Sequence, residues 1–339
     1  MNRILPINSK ERGAYFETAA ARMGVPAQII EKDFWVVWVL GRLFDQTAIK
    51  PHLTFKGGTS LAKVFGLIKR FSEDIDLSIE KSFFGLADSQ SPEQAPSRKK
   101  RQERLDKLSR ECAQCVRGPM LTGLKKDFSQ HLLSASDWKL IPDKGDPTGQ
   151  TLLFEYPTDF PKKAGYVRSA VKIEMGARSE HWPVSQKKIQ SYLKEALEEN
   201  IDEPEVIVRV LNVERTFWEK ATILHQYAHI PRDKMFPLRL SRHYYDFYCL
   251  IHSTAKDGAM KEQNLLARVA RHKEIYFPSA WADYASAKKG SLKLIPQEHF
   301  LRALRQDYQL MRDMFFEEPP AWDDVVKSIG AFEREFNHE

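Results

Sequence analysis

Asp74 and Asp76, one residue apart in the run Glu73-Asp74-Ile75-Asp76-Leu77, are the residues of this chain best suited to chemistry. On a strand they share one face, while Ile75 and Leu77 take the other. Two carboxylates about 7 Å apart along a strand repel each other unless cations sit between them. Oxygen ligands of this kind suit Mg²⁺, and two ions about 3.5–4 Å apart would bracket a transferring phosphoryl group. For D-x-D alone, the plain alternative is an edge strand with a solvated acidic face.

Upstream, Leu53-Thr-Phe-Lys reads as a short strand that runs through Gly57-Gly58-Thr59-Ser60 into a helix. Glycines there remove the side chains that would block a phosphate, and a helix N-terminus adds partial positive charge. Thr59 and Ser60 add hydroxyl donors. A lone G-G-T-S is more often a structural turn, but its place just before the aspartates favours nucleotide chemistry. A third carboxylate comes from Val171-Lys-Ile-Glu-Met175, where Glu174 shares a face with Lys172. Glu174 could hold a metal or draw the proton from an attacking hydroxyl; a surface ion pair with Lys172 is the alternative.

Two further residues stand out by their surroundings. Val213, Phe217, Lys220, Leu224 and Tyr227 fall on one helical stripe, and a lysine on an apolar stripe must snorkel or meet an anion. Asp246 lies among Tyr244, Tyr245, Phe247 and Tyr248, so it needs a partner if buried, and Lys220 is the natural one. His225 and His229 are spaced to bind zinc on a helix, but with no third ligand nearby they read as structural. Cys112-Ala-Gln-Cys115 is a single C-x-x-C on a helix and reads as structural thiols.

The elements that must position these groups are legible in outline. Residues up to about 45 read as helices, one of them starting at Pro26. Thr59–Lys69 reads as a helix with Leu61, Val64, Phe65 and Ile68 on one stripe, and Asp74–Ile79 as a strand. Residues 87–98 read as a loop, followed by the charged helix KKRQERLDKLSRECAQCV. Leu152–Tyr156 and Tyr166–Met175 read as strands, and from about Ser185 the pattern is helical almost to the end. The expected division is 1–182, with N-terminal helices and a basic helical insertion at about 90–130, and a helical lobe over 183–339.

At 339 residues, with 42% hydrophobic and 29% charged residues, the chain has the composition of a globular protein of two lobes. A net charge of +6 is compatible with a nucleic-acid partner, and three cysteines fit a reducing compartment. No signal peptide or bilayer-length apolar run is visible, so a soluble, cytoplasmic protein is expected. Arg98-Lys-Lys-Arg101, with Arg104, Lys107, Arg110 and Lys125-Lys126, could track an RNA backbone, although Glu103, Asp106 and Glu111 are interleaved.

Taken together, these residues resemble the AbiEii/AbiGii-type nucleotidyltransferase toxins, a family that includes the MenT group. The family pattern, GG-[TS]-x-L followed by R-[FS]-x-E-D-[IL]-D, is matched by Gly57-Gly58-Thr59-Ser60-Leu61 and Arg70-Phe71-Ser72-Glu73-Asp74-Ile75-Asp76. VKIEMGARSE is similar to a family strand placing Glu174 and Arg178 at the site. NVERTFWEK resembles a helix with a functionally important lysine, here Lys220. SRHYYDFY resembles the family's R-D-x-x-D-x-Y helix, except that His243 stands where relatives often carry an acid, so only Asp246 carries over. The C-terminal stretch resembles the family's terminal helix.

The resemblance implies an α+β protein: a polymerase-β-like nucleotidyltransferase lobe with a mixed sheet, a C-terminal helical lobe, and an active site between them. It implies transfer of a nucleoside monophosphate from an NTP to an acceptor hydroxyl, on tRNA, with two Mg²⁺ ions and under a separately encoded antitoxin. Asp74, Asp76 and Glu174 would hold metal. Gly57, Gly58, Thr59, Ser60, Lys63, Ser72 and Arg178 would contact the nucleotide, and Lys220, oriented by Asp246, would neutralise developing charge. The alternatives are a small-molecule or protein acceptor, and a non-catalytic nucleotide-binding protein.

Overall fold

The computed structural model describes residues 9–338 except 46–47, 133, 135, 161–168, 198–200, 202 and 204. The chain divides into two compact units, Met1–Val64 with Phe71–Val210, and Phe65–Arg70 with Leu211–Glu339. The division falls at Val210/Leu211, and not at the 182/183 expected from sequence, because residues 184–210 add two strands to the first unit's sheet.

In the first unit, α1 (Ser9–Met23) and α2 (Ala27–Asp45) precede β1 (Leu53–Lys56), α3 (Gly57–Lys63) and β2 (Asp74–Ile79). Then come α4 (Arg98–Cys115), a π turn at Val116–Met120, α5 (Leu121–His131), β3 (Lys139–Pro142), β4 (Thr151–Glu155) and β5 (Ala170–Gly176). The unit ends with β6 (Val184–Ile189), α6 (Tyr192–Leu197) and β7 (Val206–Leu211). The seven strands lie in the order β3-β4-β5-β2-β1-β7-β6. The sheet is mixed: β2 is parallel to β5 and β1 to β7, while β1–β2, β3–β4 and β4–β5 are antiparallel.

Alternation explains which sheet face is dry. Ile75, Leu77 and Ile79 of β2, Val171, Ile173 and Met175 of β5, and Leu152 and Phe154 of β4 are all buried. Trp35 and Trp38 of α2 pack on Phe154 at ring distances of 5.8 and 5.7 Å, and Phe128 of α5 meets Trp38 at 4.6 Å. Burying such rings is worth about 1.5–3 kcal/mol each, so α2 is pinned to the sheet through its aromatic side. The opposite parity of β2 and β5 is left for Asp74, Asp76, Lys172 and Glu174.

The helix after the glycines runs over Gly57–Lys63, not Thr59–Lys69. Gly66 takes φ +63°, and Arg70 bridges to Phe315, so residues 65–70 leave the helix and join the second unit. The region after Ser185 is not helical throughout: β6 and β7 interrupt it, and the alternation Val206-Ile-Val-Arg-Val-Leu carries the second of them. The strand expected over Tyr166–Met175 is found as Ala170–Gly176; residues 166–168 of that expectation lie outside the described residues.

The second unit contains α7 (Val213–Ala228), α8 (Ser241–Ile251), α9 (Thr254–Lys261), α10 (Gln263–Tyr276), α11 (Glu298–Leu310) and α12 (Trp322–His338). Its core is aromatic: Phe217 meets Phe247 at 4.9 Å and Phe332 at 5.6 Å, and Trp218 meets Phe336 at 5.3 Å. Among the described residues, no helix is long and apolar enough to cross a membrane.

Candidate active site

Strand register brings the first-unit carboxylates onto one face. Asp76 stands directly across the parallel β2–β5 pair from Glu174, and Asp74 across from Lys172. Their hydrophobic neighbours hold this arrangement, because a one-residue slip would drive Ile75 and Ile173 out and the acids into the core. On the other side of β2, Lys56 of β1 is the register partner of Asp76. The sequence reading missed Lys56; the only signal for it was its place at the end of the strand before the glycines.

Gly57 shows why the glycine turn adjoins the aspartates. Its φ is +82°, and a Cβ there would stand 2.0 Å from Asp76 Oδ2. Both the backbone conformation and the space demand glycine at this position. Thr59 Oγ1 donates to the Asp74 carbonyl at 2.5 Å and lies 2.9 Å from Ser72 Oγ, while Ser60 Oγ donates to the Gly57 carbonyl at 2.9 Å. Both hydroxyls are buried; Thr59 fastens the turn to the start of β2, and Ser60 closes the turn on itself. Gly58 stands half-buried next in the turn.

Electrostatics confirm that the acids crowd one another. Burial first, and then the charges of Glu73, Asp76 and Glu174, push the Asp74 carboxyl up to about 6, against the opposing effect of Lys172. Glu174 pairs with Lys172, as the plainer sequence reading held, and both side chains are about two-fifths exposed. Burial lowers the Lys172 ammonium, but Glu174 and then Asp74 outweigh it and leave it above its ordinary value. Glu73, next to Asp74, pairs with Lys32 of α2, whose side chain is almost wholly buried.

Among the described residues, no three His, Cys, Asp or Glu side chains are gathered closely enough to ligate an ion as they stand. The donors nonetheless fit a hard cation by type and placement, being carboxylates on one face of two adjacent parallel strands. Lys172 is the cation that accompanies Glu174 here.

The remaining expected nucleotide contacts scatter. Lys63 lies 3.1 Å from Asp33 and 3.6 Å from the Tyr192 ring, with its side chain 2% exposed. It is therefore committed to the packing of α2 against α6. Arg178 lies two residues past the end of β5, half-buried and four residues beyond Glu174.

Lys220 and Asp246 belong to the second unit, where they form the expected pair. Lys220 Nζ donates to Asp246 Oδ2 at 2.6 Å and lies 3.0 Å from His243 Nδ1. Arg70, which the sequence reading gave no role, donates to both Asp246 oxygens, from Nε at 2.8 Å and Nη2 at 2.9 Å. Its signal was its place in the quoted R-F-S-E-D-I-D run together with a buried aspartate in need of partners. Burial opposes ionisation of Asp246, but Arg70 and Lys220 hold its carboxyl far below the ordinary range.

His225 is a satisfied core residue: its Nδ1 accepts from the Lys293 N–H at 3.0 Å, and its Nε2 lies 3.0 Å from the Asp283 carbonyl. Cys112 is buried and donates to the Met175 carbonyl, and burial pushes its thiol up to about 12, away from thiolate chemistry.

A glycine turn folded over paired acids on a mixed sheet is an arrangement suited to handling a nucleotide. The family model described as nucleotidyl transferase AbiEii toxin, type IV TA system, matches residues 38–328, and the chain belongs to that family. Among solved structures, the MenT4 nucleotidyltransferase toxin Rv2826c from Mycobacterium tuberculosis H37Rv is 15% identical. The match covers 95% of this chain and 96% of that one, with a TM-score of 0.44. No curated protein matches the chain.

Proposed function

We propose that this toxin-family chain transfers a nucleoside monophosphate from an NTP to an acceptor hydroxyl on tRNA, and that a separately encoded antitoxin controls it. The observation that carries the reading is the register pairing of Asp76 with Glu174, with Asp74 on the same face and Gly57 closed over Asp76.

Asp74, Asp76 and Glu174 would hold two Mg²⁺ ions, which when bound neutralise phosphate charge and make the acceptor oxygen easier to deprotonate. Glu174 must exchange Lys172 to do this, and its exposure permits that exchange. The Gly57–Ser60 turn contributes backbone N–H groups to the triphosphate, since its two hydroxyls are bonded within the protein. Ser72 tethers that turn through Thr59. Arg178 is the cation assigned to the nucleotide beyond β5, and Lys63 supports the unit from α3. In the second unit, Asp246 orients the Lys220 ammonium, the cation we assign to the negative charge of the transferring group. The basic residues of α4, from Arg98 to Arg110, supply phosphate contacts to the RNA.

The test compares NTP labelled at the α phosphate with NTP labelled at the γ phosphate, in the presence of Mg²⁺ and total RNA. Nucleotidyl transfer puts only the α label into the acceptor and releases pyrophosphate. Label from the γ position entering the acceptor, or NTP binding without transfer to anything, would overturn the proposal.

A further inference from the structure

We infer that Arg70 is a positioning residue for Lys220, acting through Asp246. This deepens the proposed function and rests on Lys220 and Asp246 serving the transfer.

Asp246 is wholly buried on α8 and accepts three charge-assisted hydrogen bonds. The Arg70 fork takes both oxygens, which fixes the plane of the carboxylate; a lysine ammonium in that place would leave it free to turn. The direction in which Oδ2 receives Lys220 is then set by Arg70. Lys220 uses a second hydrogen toward His243 Nδ1. Burial first, and then Lys220 and Arg242, hold the His243 imidazole well below its usual range, so it is neutral and able to accept. The third ammonium hydrogen has no acceptor among the described residues.

Arg70 is itself held on several sides. It bridges to Phe315, the neighbouring Lys69 carbonyl accepts from the Phe316 N–H at 3.1 Å, and the Lys69 N–H donates to the Tyr245 hydroxyl at 3.3 Å. Tyr245 precedes Asp246 on α8, so the backbone of residues 65–70 and the Arg70 side chain grip the same helix turn. Arg70 and Lys220 both bond Asp246, and Arg242 adds a further positive charge near the Lys220 ammonium. Around Lys220 the charged and titratable groups are Asp246, His243 and Arg242 from α8 and Arg70 from the 65–70 segment.

The experiment uses the full chain and three variants, Arg70→Lys, Arg70→Met and Lys220→Ala, with α-labelled NTP, Mg²⁺ and total tRNA. Melting temperature and circular dichroism report folding. Arg70→Lys keeps the charge and is expected to stay folded, yet to lose about 10²-fold in kcat through misplacement of the ammonium. NTP affinity should change less, by no more than about threefold. The Lys220 side-chain NMR signal, assigned with Lys220→Ala, is a second readout and reports whether the Arg70 charge reaches the ammonium. Arg70 repels the Lys220 proton, so in Arg70→Met that signal should titrate at higher pH than in the parent. Parental kcat in Arg70→Lys, or an unmoved Lys220 titration in Arg70→Met, while Lys220→Ala is inactive, overturns the inference alone. Full transfer by Lys220→Ala overturns the reading beneath it.

Discussion

A β-carbon on Gly57 would stand 2.0 Å from Asp76 Oδ2, so the glycine turn and the acidic strand are two halves of one feature. Their separation in sequence hides a contact that leaves no room for a side chain.

Gly57→Ala therefore meets two penalties. An alanine at φ +82° costs about 1–2 kcal/mol from the backbone alone, and the clash must also displace Asp76. We expect a melting temperature lower by several degrees and transfer reduced by about 10²-fold or more. Parental activity would show that Asp76 does not need its present position.

Asp74 should show the opposite balance between stability and function. Its folded pKa of about 6 lies above its unfolded value of 3.8, so the folded state bears a penalty wherever the group is ionised. That penalty is present in full above about 6 and disappears as pH falls through 6 toward 3.8. Asp74→Asn should thus raise stability by about 1–3 kcal/mol at pH 7.5 in Mg²⁺-free buffer, less at pH 5, and abolish transfer. Thermal melts of both proteins across that range check it.

Asp246 carries the reverse sign. Its carboxyl is held below the unfolded value, so its contribution is present above about 4 and is lost as pH falls further. Asp246→Asn leaves Arg70 and Lys220 buried without their anion and should cost about 3–5 kcal/mol at pH 7. The difference from the parent should shrink in acid, as denaturant melts at pH 7 and pH 3.5 would show.

Lys172 competes for Glu174 while contributing little to stability, since both side chains are substantially exposed. Lys172→Met should leave the melting temperature within about 2 °C and tighten Mg²⁺ binding about threefold or more. Titration calorimetry with Mg²⁺ alone measures this, and weaker binding would argue that Lys172 does not screen the site.

Local pattern made much of this visible in the sequence. The limits of β2 matched Asp74–Ile79, because polar and apolar residues alternate there without interruption. The Lys220–Asp246 pair followed from the cost of burying either charge alone. The Leu61–Ile68 stripe failed as a helix, because Gly66 allows a turn and the 65–70 segment gains strand-like pairing at Phe315 that no local period encodes. Thr59, Ser60 and Lys63 have the chemistry of phosphate ligands, yet distant partners claim Thr59 and Lys63, and the Gly57 carbonyl within the turn claims Ser60. Arg70 escaped notice for the same reason, since its partner lies far away in the chain.

The central claim is that the Asp74–Asp76–Glu174 face transfers nucleotide to tRNA. The direct measurement incubates the purified protein with Mg²⁺, total tRNA and each α-labelled NTP in turn, beside Asp76→Ala. Label entering tRNA with the intact protein and not with Asp76→Ala is the predicted result, and it names the nucleotide. Equal labelling by Asp76→Ala, or none by the intact protein with any NTP, would contradict the account.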